Sequence, residues 1–250
     1  MNRLAAIVAC VVAYSLAASA SAAEVRVLSA GAVEPGLRAF AQLVTSVTGD
    51  VLVIQYNTAP RIAERLAAGE TFDILVSPPA VVAQAVKDGK AVASSGVPVG
   101  RVGAGIVVRK DAPVPDVATV DALKKALLAA DGIVYNNAST GLYLDRLFEK
   151  MGILGQLQPK TTRYADGAAV MEHLLKGKGN EIGFGAITEI LQYDARGLRL
   201  AGPLPAAVQN YTSYDAALMS AASASTPAKA ALALLATPAG KAAFVAAGVE

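Results

Sequence analysis

The sequence holds one cysteine, Cys10, one histidine, His173, and no tryptophan. Structural zinc sites, thiolate clusters and disulfide frameworks are thereby excluded. Charge is scarce as well: Asp, Glu, Lys and Arg make up 17% of the chain, and 22 basic residues against 20 acidic ones leave a formal net charge of +2. That is too little for the electrostatic footprint of a nucleic-acid binder. No repeat with a period of about 20 to 50 residues is present, which argues against a solenoid. Hydrolase, kinase and metalloenzyme readings find no support, because the chain has no nucleophile elbow, phosphate loop or metal cluster. What the chain does have is apolar bulk: hydrophobic residues reach 54% with aromatics at only 5%, so the volume comes mainly from Ala, Val, Leu and Ile. Such a chain is not disordered, and its 250 residues supply one large domain or two small ones.

Part of that apolar excess sits at the N-terminus. Met1-Asn2-Arg3 is a short basic start, Leu4 to Ala18 is almost unbroken apolar sequence, and Ala20-Ser21-Ala22 offers the small residues a signal peptidase reads. Residues 1–23 are expected to be a cleaved signal peptide that directs the protein to the periplasm. An uncleaved anchor is the alternative, but the run is short for a membrane span. Ile7-Val8-Ala9-Cys10 resembles a lipoprotein box, yet too few apolar residues precede Cys10 and too many follow it. Cleavage near Ala22 or Ala23 removes Arg3 and the sole cysteine, leaving a nearly neutral mature chain.

The mature chain alternates strand and helix patterns. Val25 to Leu28, Val51 to Tyr56 and Phe72 to Val76 read as strands, and each is followed by apolar residues at helical spacing. A second set runs through Ile106 to Arg109, Val120 to Leu128, Gly132 to Tyr135, Leu142 to Met151, Gly167 to Leu175 and Glu181 to Phe184. This alternation predicts an α/β fold with parallel strands covered on both faces. The glycines near Val99 to Gly105 mark one crossing between two Rossmann-like lobes, and Gln209 to Tyr214 marks a second. Residues 24–100 plus 212–250 are expected to form lobe 1 and residues 101–211 lobe 2, joined by a two-strand hinge with a ligand cleft between them. The tail, Pro227 to Gly248, reads as two helices that return to lobe 1.

Ligands in open α/β sheets bind outside the carboxyl ends of the strands. Those ends carry Ala30, Gly31 and Ala32 after the first strand, Asn57, Thr58 and Ala59 after the second, Ser77 after the third, and Ser139, Thr140 and Gly141 after a strand of the second lobe. Small or hydroxyl-bearing residues before a helix leave backbone amides free at its positive end, which suits an anion. Taken singly, each such residue is equally an ordinary helix cap. Gly167, Tyr143 and Tyr211 join the candidate ligand contacts. Arg61 could offer a bidentate fork to a carboxylate, with Arg38, Arg101 and Arg163 as further cations. His173 reads as a surface helix residue.

These residues carry a family resemblance over essentially the whole mature chain. Ala67 to Val76, Asn136 to Leu154, Lys176 to Gly183, and Gly202-Pro203-Leu204-Pro205 with Gln209-Asn210-Tyr211-Thr212 resemble a type II periplasmic substrate-binding protein of the molybdate-binding-protein-like group. The resemblance implies a two-lobed receptor that captures a small anion without a cofactor, acts as a monomer, and serves an ABC permease. It also exposes departures. The family's first serine position falls on Ala32, its second on Ala59 or Pro60, and an expected tyrosine on Ala186. Charge-assisted hydrogen bonds contribute roughly 1.5 to 3 kcal/mol each, so these losses argue against molybdate itself. The superfamily resembled also includes aconitate isomerase, a cofactor-independent enzyme. On that alternative the proton carriers are expected to be Tyr143 and Glu34.

Overall fold

The computed structural model describes residues 22–250, so the expected signal peptide lies, apart from its last two positions, outside the described residues. The chain opens with β1 (Glu24–Ala30), α1 (Glu34–Thr48), β2 (Val51–Asn57), α2 (Ala59–Ala67), β3 (Ile74–Ser77) and α3 (Pro79–Lys87). β1 pairs in parallel with both β2 and β3. All four residues of β3 are buried, the pattern of a parallel strand covered on both faces. On α1 the buried positions Leu37, Phe40 and Val44 follow helical spacing. Val47, which continues that spacing on paper, is 60% exposed because the helix ends one residue later at Thr48.

The central piece is β4 (Val97–Arg109). From Val97 to Gly103 it pairs antiparallel with β9 (Tyr211–Leu218), and β9 pairs antiparallel with β3. From Ala104 onward it pairs instead with β7 (Glu181–Ala186) and β8 (Leu198–Pro203). The chain between β4 and β8 also forms α4 (Val120–Ala129), β5 (Gly132–Asn136), α5 (Ser139–Lys150), α6 (Leu154–Leu157), β6 (Thr161–Tyr164), α7 (Gly167–Lys176) and α8 (Ile187–Leu191). β5 runs parallel to β6 and β7. The strand order is therefore β2-β1-β3-β9-β4-β7-β5-β6, with β8 on β4. It is a mixed α/β fold whose halves meet at one shared strand.

The sequence alone marks β4 only from Ile106, since Gly100, Gly103 and Gly105 lower strand propensity. Pairing along β4 overrides that preference, and the glycines have uses. A Cβ at Gly105 would stand 2.9 Å from Ile187, Ile190 and Leu200, so its absence lets α8 lie directly on the strand. The return path is tied to the same strand. The Gln209 side-chain amide accepts from Ala104 N at 3.0 Å and donates to Ala104 O at 3.1 Å, copying the bonds of a neighbouring strand.

Apolar side chains collect in separate cores on the two halves. The first joins β1, β3 and β9 to α1 and to the tail helices α9 (Thr226–Leu235) and α10 (Pro238–Val245). In the second half, Tyr135, Phe148 and Phe184 form an edge-to-face cluster with centroids 5.7 to 6.4 Å apart. Val170, Met171 and Leu174 of α7 cover the other face.

The contact of α1 with α10 is unusually close at Gly36. A Cβ there would stand 2.5 Å from Phe244 Cδ1 and 3.0 Å from its Cα. Overpacking of this kind costs about 1 to 3 kcal/mol. Gly36→Ala is thus expected to lower stability by that amount in urea denaturation, and to cost less when Phe244→Ala has already cleared the space. Equal costs in both backgrounds would show that the side-chain collision is not the cause.

Candidate functional site

A cleft of about 640 Å³ opens at the carboxyl ends of β1, β2 and β5 and the start of α7. Ala30, Gly31, Ala32, Asn57, Thr58, Ala59, Arg61, Ser139, Thr140 and Gly167 line it, together with Glu34. Several were expected as turn residues and are instead first helical turns. α5 begins at Ser139 rather than Leu142, and α2 begins at Ala59.

Four expected positions lie outside the cleft lining. Gly141 is buried in the first turn of α5, where a Cβ would overlap the Asn136 carbonyl oxygen, so its role is close packing. Ser77 is wholly buried behind Pro78 and its hydroxyl has no partner among the described residues. Tyr143 donates its hydroxyl to Val208 O at 2.7 Å and so braces the return path to β9. Tyr211 is 41% exposed beneath the Arg101 guanidinium, 4.2 Å from its ring centroid, outside the cleft lining.

The arginines are similarly redistributed. Arg163 lies over Tyr135, bonds Asp145 at 2.9 Å and donates to Asn136 O at 3.0 Å. Arg101 pairs with Glu250 at 3.0 Å, and Arg38 with Glu34. Arg61 alone stands in the cleft lining, 63% exposed and 2.8 Å from Glu64. His173 is away from the cleft, held between Tyr164 Oη at 2.7 Å and Glu181 at 2.9 Å; it is more enclosed than a surface helix residue.

The charged lining is thus one cation, Arg61, against the acids Glu34, Glu64, Asp166 and Glu189. Positive character has to come from the backbone. Among helices of eight residues or more, α1, α2 and α5 start at cleft-lining residues and α3 starts directly after one, Pro78, and none has a side-chain cap. The helices α4, α9 and α10 start elsewhere and are capped by Thr119, Ser225 and Thr237. α7 is the exception, with Asp166 accepting from Ala169 N at 2.8 Å at the cleft edge. Proline removes a first-turn amide from α1 (Pro35), α2 (Pro60) and α3 (Pro79), so α5 is the uncapped cleft helix without that loss, and α2 keeps the amides of Ala59 and Arg61.

Sequence reasoning missed Glu189. It is the third residue of α8, the position from which a carboxylate supplies one half of a capping box, and the backbone amide of Ala186, the residue before the helix, favours its ionised form. The reciprocal half of the box needs Ser or Thr where Ala186 stands, so the motif left no signature in the sequence. The carboxyl lies against two glycines: a Cβ at Gly31 would come within 3.2 Å of Oε1, and one at Gly167 would collide with Oε2. Burial, with Asp166 and Glu34 nearby, pushes its pKa up to about 7 despite the Ala186 amide. Behind it, burial also raises the pKa of Tyr214. Tyr56, another lining residue, has a buried hydroxyl without a partner among the described residues, and burial pushes it up to about 12.

Comparison with known proteins places this cleft in context. The chain is 28% identical to an aconitate isomerase from Pseudomonas sp over 200 residues, covering 78% of this chain and 75% of that one. Its structure resembles the periplasmic molybdate-binding protein of Azotobacter vinelandii, with a TM-score of 0.76 and 17% identity over 90% of this chain and 98% of the other. It also resembles the sulfate-binding protein SubI of Mycobacterium tuberculosis, with a TM-score of 0.73 and 16% identity over 91% and 86% of the two chains. The model of the bacterial extracellular solute-binding protein family matches residues 25–250. A sheet divided at one shared strand, a cleft at the strand ends and this full-length match together establish that the chain belongs to the bacterial extracellular solute-binding proteins.

Proposed function

We propose that the protein is a periplasmic receptor that captures a small anion, an oxyanion or an organic carboxylate, between two lobes and presents it to an ABC-type importer. One observation carries this reading: the long helices that start at the cleft lack side-chain caps, whereas those that start elsewhere have them, α7 excepted. Unsatisfied amides at a helix start are an anion site that needs no net positive charge. Thr58, Ser139 and Thr140 would add hydroxyl donors, and Arg61 could turn from Glu64 to a ligand carboxylate. The family's serine and tyrosine positions, which the resemblance puts at Ala32, Ala59 or Pro60, and Ala186, all line the cleft. That favours a carboxylate over molybdate. The lobes would comprise residues 24–100 with 212–250, and residues 101–211, closing by bending at β4 and the segment before β9.

A second reading, a cofactor-independent isomerase of an unsaturated tricarboxylate, is favoured by the aconitate isomerase relative and by Glu189. Moving a double bond along an allylic acid breaks one C–H bond and forms another, so one group can remove the proton and return it. Tyr143 is engaged with Val208 and Glu34 with Arg38. Glu189 is the cleft carboxyl suited to that transfer, since its pKa lies near neutral pH.

Thermal-shift measurements on the mature protein with molybdate, sulfate, citrate, malate and trans-aconitate test the receptor. A true ligand at about 100 times its Kd should stabilise by about 2.7 kcal/mol, and no shift with any anion overturns the reading. Arg61→Ala should leave stability within about 0.5 kcal/mol, as an exposed pair contributes little, but weaken a carboxylate ligand about tenfold. Unchanged affinity would remove Arg61 from the site. For the isomerase, NMR of trans-aconitate in heavy water should show cis product and deuterium uptake, both lost in Glu189→Gln; the absence of both with the wild-type protein eliminates it.

A further inference from the structure

We propose that anion capture in this cleft is coupled to a proton, which Glu189 takes up as the anion enters; the inference rests on the receptor reading above. The geometry poses the problem that the coupling solves. The Glu189 carboxyl lies against Gly31, in the turn that joins β1 to α1, and against Gly167, the first residue of α7. An anion seated in the cleft therefore meets a carboxyl that makes no ion pair among the described residues. Two negative groups at close range disfavour each other's ionisation.

The groups around Glu189 do not supply a compensating cation. From α1 comes Glu34, already paired with Arg38. From α7 comes Asp166, committed to the Ala169 amide, and from β9 comes the buried phenol of Tyr214. Tyr193, beyond the end of α8, lies under the Arg196 guanidinium, 4.7 Å from its centroid. His173 on α7 is held by Tyr164 and Glu181. Across the cleft, Arg61 of α2 pairs with Glu64 and, on the receptor reading, turns to the ligand rather than to Glu189. Uptake of a proton is the remaining way to neutralise the carboxyl. It also converts Glu189 from a repelling acceptor into an O–H donor. The free carboxyl has a pKa of about 7, so the proton is gained within an accessible pH range.

The sign follows directly. A carboxyl whose folded pKa is raised holds its proton below that value, so affinity should be constant at low pH and fall as pH rises through about 7. Above that point each pH unit should weaken binding about tenfold for one coupled proton. Sulfate, molybdate and trans-aconitate serve as probes in titration calorimetry between pH 6.5 and 9, run in two buffers of different ionisation enthalpy. Wild-type protein should take up close to one proton per bound anion at pH 8.5, whereas Glu189→Gln, which keeps the volume, should take up none and show a flat profile. Without ligand, the wild-type protein should also lose stability relative to Glu189→Gln as pH rises from about 5 to about 7. No proton uptake by the wild-type protein, or an equal pH profile in both, overturns the coupling and leaves the receptor standing. Failure of both proteins to bind any probe at pH 6.5 overturns the receptor reading and the coupling with it.

Discussion

The first turn of an α-helix leaves its amides without intrahelical partners, and the protein has to satisfy them or present them. This constraint organises the molecule around its cleft. α4, α9 and α10 close the obligation with Thr119, Ser225 and Thr237. α2 and α5 leave it open where β2 and β5 end. The sheet aims these starts at one space, because parallel strands deliver the chain to the same edge each time. β4 then fixes the geometry by pairing with β9 along one part and with β7 and β8 along the other.

The same strand supports the most unusual group in the cleft. Without a side chain at Gly105, Ile187 and Ile190 settle on β4, and α8 brings Glu189 to the inner wall. Gly31 and Gly167 leave the volume its carboxyl occupies. Three glycines that look unrelated in the sequence thus accommodate one carboxyl and the short helix that carries it. A carboxyl of this kind is costly when ionised and without a cation, and on the proposed coupling a proton removes that cost.

Much of the fold was legible in the sequence, because strand and helix periods are local properties. Leu37, Phe40 and Val44 announce the buried face of α1, and Ile74 to Val76 a covered strand. What lay beyond reach depends on partners distant in the chain. The Asn136 carbonyl fills the space beside Gly141, Val208 takes the hydroxyl of Tyr143, and Asp145 takes Arg163. Each of those residues has the chemistry of a ligand contact, and a neighbour many residues away has already claimed it. Glu189 failed to show for the opposite reason. Half a capping box with alanine at its first position carries no recognisable pattern.

Composition takes on a sharper meaning in this light. A nearly neutral chain can present an anion site when the donors are backbone amides, since partial charges at helix ends do not enter the count of ionisable residues. A cleft lined by four acids and one arginine would repel any anion if side chains alone set its field. Before any ligand enters, three of those acids are already neutralised or committed, Glu34 by Arg38, Glu64 by Arg61 and Asp166 by the α7 amide. Glu189 is the one left to respond to what enters, and the protonation state of that single carboxyl decides whether the inner wall attracts a ligand oxygen or repels it.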